Sequence, residues 1–179
     1  MYNNGRRGDI MSNSSNDRER KIKILQQNLS SIRKIAGWTA EQLGDKIGVT
    51  KQTISNLENS KTPMNFTQYI AIRAVLDCEV EEHPENEALA QAIDILLNHA
   101  DKLDDENYKN VKSSIDTVAA AAAGGVAGAA LTGVFTGMVL PVAKVAGLTL
   151  LGPVGGAIGI GATVGVVGAT WLKKLIKKK

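Results

Sequence analysis

The sequence predicts an all-α protein made of three parts that differ in composition. The first part contains two short amphipathic helices joined by a tight turn, within residues 39–58. In the second, apolar residues recur at three- and four-residue steps between residues 89 and 118, which is the spacing of a helix face. The third, residues 118–172, is rich in Gly and Ala and has a single charged residue, Lys144.

Charge divides the chain in a similar way. Residues 1–76 hold 12 Lys and Arg against 6 Asp and Glu, residues 77–117 hold 3 against 12, and residues 118–179 hold 6 against none. The net charge of +3 therefore conceals local values of +6, −9 and +6. A basic first part suits a polyanionic partner, whereas the acidic middle would be repelled by phosphates and must point away from them.

Two amphipathic helices are predicted in the stretch TAEQLGDKIGVTKQTISNLE, residues 39–58. Leu43 and Ile47 are four residues apart in the first helix. Ile54 and Leu57 are three apart in the second, so each helix offers one apolar stripe to a shared core.

The turn between these helices has the residue types that it needs. Gly48 can adopt the left-handed conformation that ends a helix. Thr50 can cap the next helix by accepting a hydrogen bond from the backbone N–H of Gln52 or Thr53. Gly44 has no side chain and allows the helices to cross closely. Together these features predict a helix-turn-helix.

The outward face of the second helix is polar. It has no acidic residue before Glu58, which is unusual for a solvated helix and expected for one that lies on a polyanion. Gln can contact adenine at two points, Thr can contact a thymine methyl, and Lys, Ser and Asn can bind phosphates. The residues on this face are Lys51, Gln52, Thr53, Ser55, Asn56 and Asn59. Double-stranded DNA is therefore the predicted partner.

Residues from about 25 to 80 resemble the Xre family of phage-repressor and Cro-type helix-turn-helix domains. The family pattern is Thr-Gln-x-x-Leu-Ala, then Gly-Val-Ser, then Ile-Ser-x-x-Glu. Residues 39–44, 48–50 and 54–58 match most of it.

The resemblance implies a five-helix domain, with helix one over residues 23–36 and helix four over residues 65–76. Two positions depart from the pattern: Ala40 replaces a Gln that commonly contacts a phosphate, and Ser60 replaces a Gly. The resemblance implies that Lys51, Gln52 and Thr53 lie at the major groove, with Ser55 and Asn56 available to bases or backbone. The full set of residues predicted to bind DNA is Thr39, Thr50, Lys51, Gln52, Thr53, Ser55, Asn56, Asn59 and Lys61.

The parts that flank this domain, placed at residues 21–80, are predicted from composition. Residues 1–20 are polar and rich in Asn and Ser, and we expect a disordered arm. Residues 81–117 form an acidic spacer of two helices with a break at Asp104 and Asp105. These helices either pack on the DNA-binding domain or pair with a second copy as a dimerising stalk.

The sequence predicts no enzyme. Its glycines lack the Lys-Ser/Thr sequel of a phosphate-binding loop, and it shows no paired carboxylates or nucleophile–His arrangement. His83 and His99 lack partners at metal-ligand spacing, and Cys78 is the sole cysteine. No catalytic residue, metal site or cofactor is therefore predicted.

The Gly/Ala-rich part predicts a hydrophobic helical hairpin with two candidate transmembrane helices. Residues 118–140 would span roughly 34 Å as one helix, against about 30 Å for the hydrocarbon layer. The second candidate lies between residues 145 and 172. The lysine-rich residues 173–179 follow Trp171, as on the cytoplasmic flank of a membrane helix. Both ends of the chain are then expected in the cytoplasm, at the cell membrane.

Two alternatives stay open for this part. It is a soluble hairpin buried in an oligomer of a cytoplasmic protein, or residues 171–176 form an interfacial basic helix on anionic lipid.

Small residues repeat every four positions in both halves of the hairpin, as in a glycine zipper, where helix backbones approach closely. The repeat predicts packing within the hairpin or between chains, with a homodimer or higher oligomer and membrane lipid as partners. Its members are Gly125, Ala129, Gly133 and Gly137 in the first half, and Ala157, Gly161, Gly165 and Ala169 in the second.

Two functions follow from these predictions. The first is a sequence-specific, dimeric transcriptional regulator that its hairpin tethers to the cytoplasmic membrane. The second is a membrane-active or pore-forming glycine-zipper protein whose DNA-binding domain controls its own expression or restrains it.

Overall fold

The computed structural model describes residues 5–99 and 102–145. This part of the chain is all-α, as predicted, with seven α-helices and no strand. A π-helical turn over Asp94–Asn98 continues the fifth helix. In chain order the helices are α1 (Gly5–Ile35), α2 (Ala40–Ile47), α3 (Lys51–Glu58), α4 (Phe66–Glu82), α5 (Glu87–Ile93), α6 (Asp105–Ala123) and α7 (Gly128–Val145).

The pair α2–α3 has the predicted helix-turn-helix geometry. Leu43, Ile54 and Leu57 are buried, and Gly48 ends α2 with φ +73°, in the left-handed region. Thr50 caps α3 by accepting from the backbone N–H of Thr53. A Cβ atom on Gly44 would lie 2.6 Å from the carbonyl oxygen of Val49, so this turn requires a residue without a side chain or a shift of its backbone.

Helix α1 is longer than predicted, and the expected disordered arm over residues 1–20 is wrong for residues 5–20, which are helical. Asp17 and Lys21 form an ion pair one turn apart, at 3.3 Å. The guanidinium of Arg18 lies 4.6 Å from the ring centroid of Phe66 in α4. One local and one tertiary contact thus support the helix ahead of its later turns, which are fully buried at Leu25 and Ile32.

The acidic spacer packs on α1 and α4 of the predicted helix-turn-helix domain, which is the first of its two predicted alternatives. Asp104 caps α6, so the predicted break lies at the predicted place. Asn28 of α1 donates a hydrogen bond to the Tyr108 hydroxyl at 2.9 Å, and Ser31 donates one to Asp116. The boundaries of residues 81–117 are nevertheless wrong, because α4 continues to Glu82 and α6 continues to Ala123.

The first candidate transmembrane helix, residues 118–140, is not one helix. Helix α6 ends at Ala123, the chain turns at Gly124 and Gly125, and α7 begins at Gly128. Gly125 has φ +92°, a conformation that favours glycine and interrupts the helix. Within residues 5–99 and 102–145 we find no helix that is both long and apolar enough to span a membrane.

Helix α7 packs on α5 and α6 through its large apolar residues. Leu131, Phe135 and Val139, spaced by four residues, are buried. Gly133 and Gly137 are exposed, and a Cβ atom on either would meet nothing within 4 Å. Gly133 and Gly137 therefore do not join α7 to the other described helices, contrary to a zipper at these two positions within the described part of the chain.

The rest of the predicted hairpin lies outside the described residues. This applies to the second candidate transmembrane helix, to the lysine-rich residues 173–179, and to the second row of small residues, which comprises Ala157, Gly161, Gly165 and Ala169.

Candidate nucleic-acid interface

The N-terminal turn of α3 presents two exposed side chains, Lys51 and Gln52, directly after its cap. The hydroxyl oxygens of Thr50 and Thr53 lie 3.0 Å apart, so one donates to the other. The Thr50 oxygen also accepts the backbone N–H of Thr53 at 3.2 Å. This network fixes the start of α3 and with it the direction of its outward side chains.

Gln52 and Asn56 act as a pair on the same face of α3. The Gln52 side-chain amide donates to the Asn56 side-chain oxygen at 2.9 Å. The Gln52 oxygen remains available as an acceptor and the Asn56 amide as a donor. Adenine presents the complementary donor and acceptor in the major groove.

The C-terminal end of α3 closes with a Schellman motif in which serine takes the usual place of glycine. The N–H of Ser60 bonds to the carbonyl of Leu57, and that of Lys61 bonds to Asn56 at 2.9 Å. Ser60 has φ +53°, so it adopts the left-handed conformation despite its side chain. Asn59 donates to the carbonyl of Ser55 at 2.7 Å, and the Lys61 side chain is exposed.

Thr39 lies outside α3, at the start of α2. Its hydroxyl accepts from the N–H of Gln42 at 3.1 Å, and the Gln42 side chain accepts from the Thr39 N–H at 2.7 Å. This capping box leaves the Thr39 hydroxyl hydrogen able to donate to an external acceptor.

The single acidic side chain of α3, Glu58, is neutralised by Arg33 of α1. Two guanidinium nitrogens of Arg33 bond to the two carboxylate oxygens, and a third bonds to the carbonyl of Trp38. Both side chains are about nine-tenths buried, at 12 and 11% exposure. The outward face of α3 is consequently free of unpaired negative charge.

Sequence reasoning missed Arg33, although the family pattern contains the Glu that it binds. It also missed Gln26, which holds the connection between α3 and α4. The Gln26 amide donates to the carbonyls of Leu57 at 3.1 Å and Thr62 at 2.7 Å, and its oxygen accepts from Met64 at 2.9 Å. Gln26 lies one turn from Ile22 and from Leu29 in α1, and this position among apolar residues was the available sign of this contact.

Residues 29–83 match the family model described as helix-turn-helix. The matched range contains α2, α3 and α4 and the buried end of α1. This chain therefore contains a helix-turn-helix domain, the type of domain found in DNA-binding regulators. Searches among curated proteins and among solved structures gave no significant match.

His83 was predicted to lack partners at metal-ligand spacing, but two carboxylates lie close enough to share an ion with it. One ligand atom each from Glu79, Glu82 and His83 lies within 4.8 Å of the others. His83 is exposed and already contacts Glu85 at 2.9 Å, and this contact, followed by the charge of Glu79, raises the pKa of His83. Glu79 is buried but Glu82 is exposed, and because exposed acidic groups are common without an ion, we assign these residues no metal.

Proposed function

We propose that this protein is a sequence-specific regulator of transcription that reads DNA with α3 and binds as a dimer. The observation that carries the proposal is the outward face of α3, where polar donors are exposed and the one carboxylate is paired with Arg33. Glu58 is buried against α1 and paired there, so the exposed side chains of α3 carry no negative charge. This suits a helix that lies on phosphates.

The dimensions of α3 suit this role. An α-helix with its side chains is about 10–12 Å across. The major groove of B-DNA is about 12 Å wide and admits one helix. Lys51 and Gln52 would then face base edges from the first turn, with Asn59 and Lys61 near the phosphates at the groove's rim.

Dimerisation is proposed because a single recognition helix contacts few base pairs, whereas two copies can read half-sites about 34–36 Å apart. The apolar residues of α5 are buried within the chain, including Leu89, Ala92 and Ile93, so they do not offer a contact surface. The outer face of α7 does. It consists of Ala130, Gly133 and Gly137, and Met138 beside them is 47% exposed.

Membrane attachment is proposed in a form that differs from a two-helix hairpin. Because α7 packs on α5 and α6, only one candidate crossing is left. A single crossing would put the lysine-rich residues 173–179 on the side opposite the DNA, against the positive-inside rule. We therefore favour the interfacial alternative, in which residues 171–176 and the lysines bind anionic lipid in the cytoplasm.

The pore-forming alternative gains no support from the described residues, because Leu131, Phe135 and Val139 of α7 are buried against other helices.

The test of DNA recognition uses the full chain and a pool of random duplex DNA, from which the preferred site is selected. Affinity for that site should fall steeply between 50 and 200 mM salt, since phosphate contacts release counterions. Gln52→Ala should weaken binding to the selected site by about 1–3 kcal/mol and leave binding to random DNA nearly unchanged. Asn110→Ala, which removes an exposed amide of α6, is the matched control. Failure to select any site, or affinity independent of salt, would overturn the proposal.

The lipid proposal has a separate test. The full chain should sediment with vesicles that contain phosphatidylserine and not with phosphatidylcholine vesicles. Replacement of Lys173, Lys174 and Lys177 with Gln should abolish the sedimentation, and retained sedimentation would contradict the assignment.

A further inference from the structure

A small open cavity lies between α1 and the connection that follows α3. Its volume is about 280 Å³. This lies just below the range of about 300–1,000 Å³ that is usual for small-molecule sites, so the cavity suits one group of a larger partner. Its lining consists of Lys23, Gln26, Gln27, Ser60 and Pro63.

The wall formed by the connection is held in place by specific bonds. Gln26 is bonded on both sides of the connection, to Leu57, Thr62 and Met64. Ser60 is fixed by the Schellman motif at the end of α3. The cavity therefore has one preorganised wall.

The remaining polar groups of the lining are donors without a described partner. Lys23 and Gln27 are exposed and lie one turn apart on α1. Neither makes a side-chain hydrogen bond or ion pair with another residue of the described ranges 5–99 and 102–145. The Ser60 hydroxyl adds a third possible donor. None of the lining residues is acidic.

The surrounding charges favour an anion. Glu58, the acid nearest in sequence to Ser60, is paired with Arg33. Asp17 is paired with Lys21 on α1. Glu19 is one turn from Lys23, and no ion pair joins the two. Lys61, directly after Ser60, adds a further exposed cation.

The position of the cavity indicates which anion it takes. Ser60 is two residues beyond the end of α3, so the cavity lies at the C-terminal end of the recognition helix. When the first turn of α3 reaches base edges, its last turn is near the rim of the groove, where the phosphates lie.

We propose that Lys23, Gln27 and Ser60 bind one phosphodiester of the DNA backbone, beside the groove that α3 reads. This assignment rests on the proposed function and adds α1 to the DNA-binding surface.

The assignment also accounts for the serine at residue 60. A left-handed conformation at φ +53° disfavours any residue with a side chain, and glycine would adopt it without strain. A serine there keeps the turn and adds a hydroxyl in the cavity, so local strain accompanies a binding group.

The test compares Lys23→Gln with Lys109→Gln in the full chain, on the selected site and on random DNA. Lys109 is an exposed lysine of α6 and serves as the control. Loss of one phosphate contact should weaken binding to both DNAs equally and lower the salt slope by about 1. The affinity ratio of wild type to Lys23→Gln should therefore shrink about threefold between 50 and 200 mM salt. Lys109→Gln should leave affinity and slope unchanged.

Neutral methylphosphonate linkages, introduced one at a time into the selected site, separate a contact from long-range attraction. If Lys23 contacts one phosphate, neutralising that phosphate should abolish the difference in affinity between wild type and Lys23→Gln. This should occur at one linkage in each half-site. A difference that persists at every linkage would overturn the proposal. The proposal would also be overturned if wild type bound its site selectively and Lys23→Gln had the same salt dependence of affinity as wild type. That result would leave the proposed function intact.

Two further measurements complete the test. Ser60→Ala should weaken DNA binding without a loss of selectivity between sites, and an unchanged affinity would remove Ser60 from the assignment. Binding of inorganic phosphate, measured by phosphorus NMR, tests whether the ligand of the cavity is a free anion instead of DNA. If Lys23→Gln weakens binding of that ion but not of DNA, the DNA assignment is wrong.

Discussion

Arg33 and Glu58 are 25 residues apart in sequence and form a two-pronged ion pair that joins the end of α1 to the end of α3. The same guanidinium bonds to the carbonyl of Trp38, just before α2 begins. One side chain thus connects both helices of the helix-turn-helix to the helix behind them. The contact also keeps a carboxylate away from the outward face of α3.

Removal of one partner of this ion pair should cost more stability than removal of both. Glu58→Met would leave Arg33 buried without its countercharge, at a cost of about 3 kcal/mol, while the double variant Arg33→Met with Glu58→Met should lose much less than the sum. Urea unfolding of the four proteins measures this difference. Lys112→Met breaks the more exposed pair with Asp116 and should cost less than about 1 kcal/mol. Additive losses for Arg33 and Glu58 would contradict the coupling.

The two left-handed turns that follow α2 and α3 should respond oppositely to substitution. Ser60→Gly relieves a strained conformation, but glycine also increases the entropy of the unfolded chain. The net effect should be a rise of about 0.5 kcal/mol in the free energy of unfolding. Gly48→Ala imposes strain at φ +73° and should lower it by about 0.5–1 kcal/mol. Thermal unfolding of both variants gives the signs. Equal signs would show that backbone strain does not govern these turns.

Gln52 and Asn56 should contribute jointly to DNA binding, because each holds the other's amide in position. We expect Gln52→Ala and Asn56→Ala each to cost about 1–3 kcal/mol of affinity for the selected site. The double variant should lose about 1 kcal/mol less than the sum, as usual for side chains in contact. Ser55→Ala with Gln52→Ala provides a non-bonded pair for comparison. Strict additivity for Gln52 and Asn56 would mean that they bind DNA independently.

The helix-turn-helix was predictable because its determinants are local. Gly48, Thr50 and the apolar spacing act within a few residues of one another, and the break at Asp104 is a local cap as well. The contacts of Arg33 and Gln26 were not predictable, since their partners lie 25 to 38 residues away and only the tertiary fold brings them together.

The break at Gly124 and Gly125 shows a different limit of sequence reasoning. The two glycines are plain in the sequence, but the uncharged composition of residues 118–140 favoured one continuous helix. The fold instead buries one large apolar residue in each successive turn of α7, at Leu131, Phe135 and Val139, against α5 and α6. Hydrophobicity alone does not distinguish a membrane helix from one that packs inside a bundle.

The pKa of His83 should decrease when Glu85 is replaced by Gln. The hydrogen bond with Glu85 is the main cause of the raised value, and Glu79 is the next, so the value should move only part of the way to 6.5. Because the folded-state pKa is raised, the stabilisation is complete below the unfolded value and is lost as pH rises through the folded one. The pKa of Glu85 is lowered by its own backbone and by His83, so the stabilisation that Glu85 contributes is lost as pH falls. Proton NMR of His83 in wild type and Glu85→Gln checks the shift, and identical titration curves would refute it.

The outer face of α7 gives the sharpest test of the proposed dimer. Because a Cβ atom at Gly133 or Gly137 meets no atom within 4 Å, Gly133→Leu with Gly137→Leu should leave the monomer's helical content and unfolding temperature nearly unchanged. Leucine would nevertheless hold two backbones apart, so the dimer should dissociate in analytical ultracentrifugation. Ala74→Leu, an exposed position of α4, is the control for added hydrophobicity and should not alter association. A double leucine variant that stays dimeric would place the contact between copies elsewhere, whereas an unfolded one would contradict the position of these glycines on the surface.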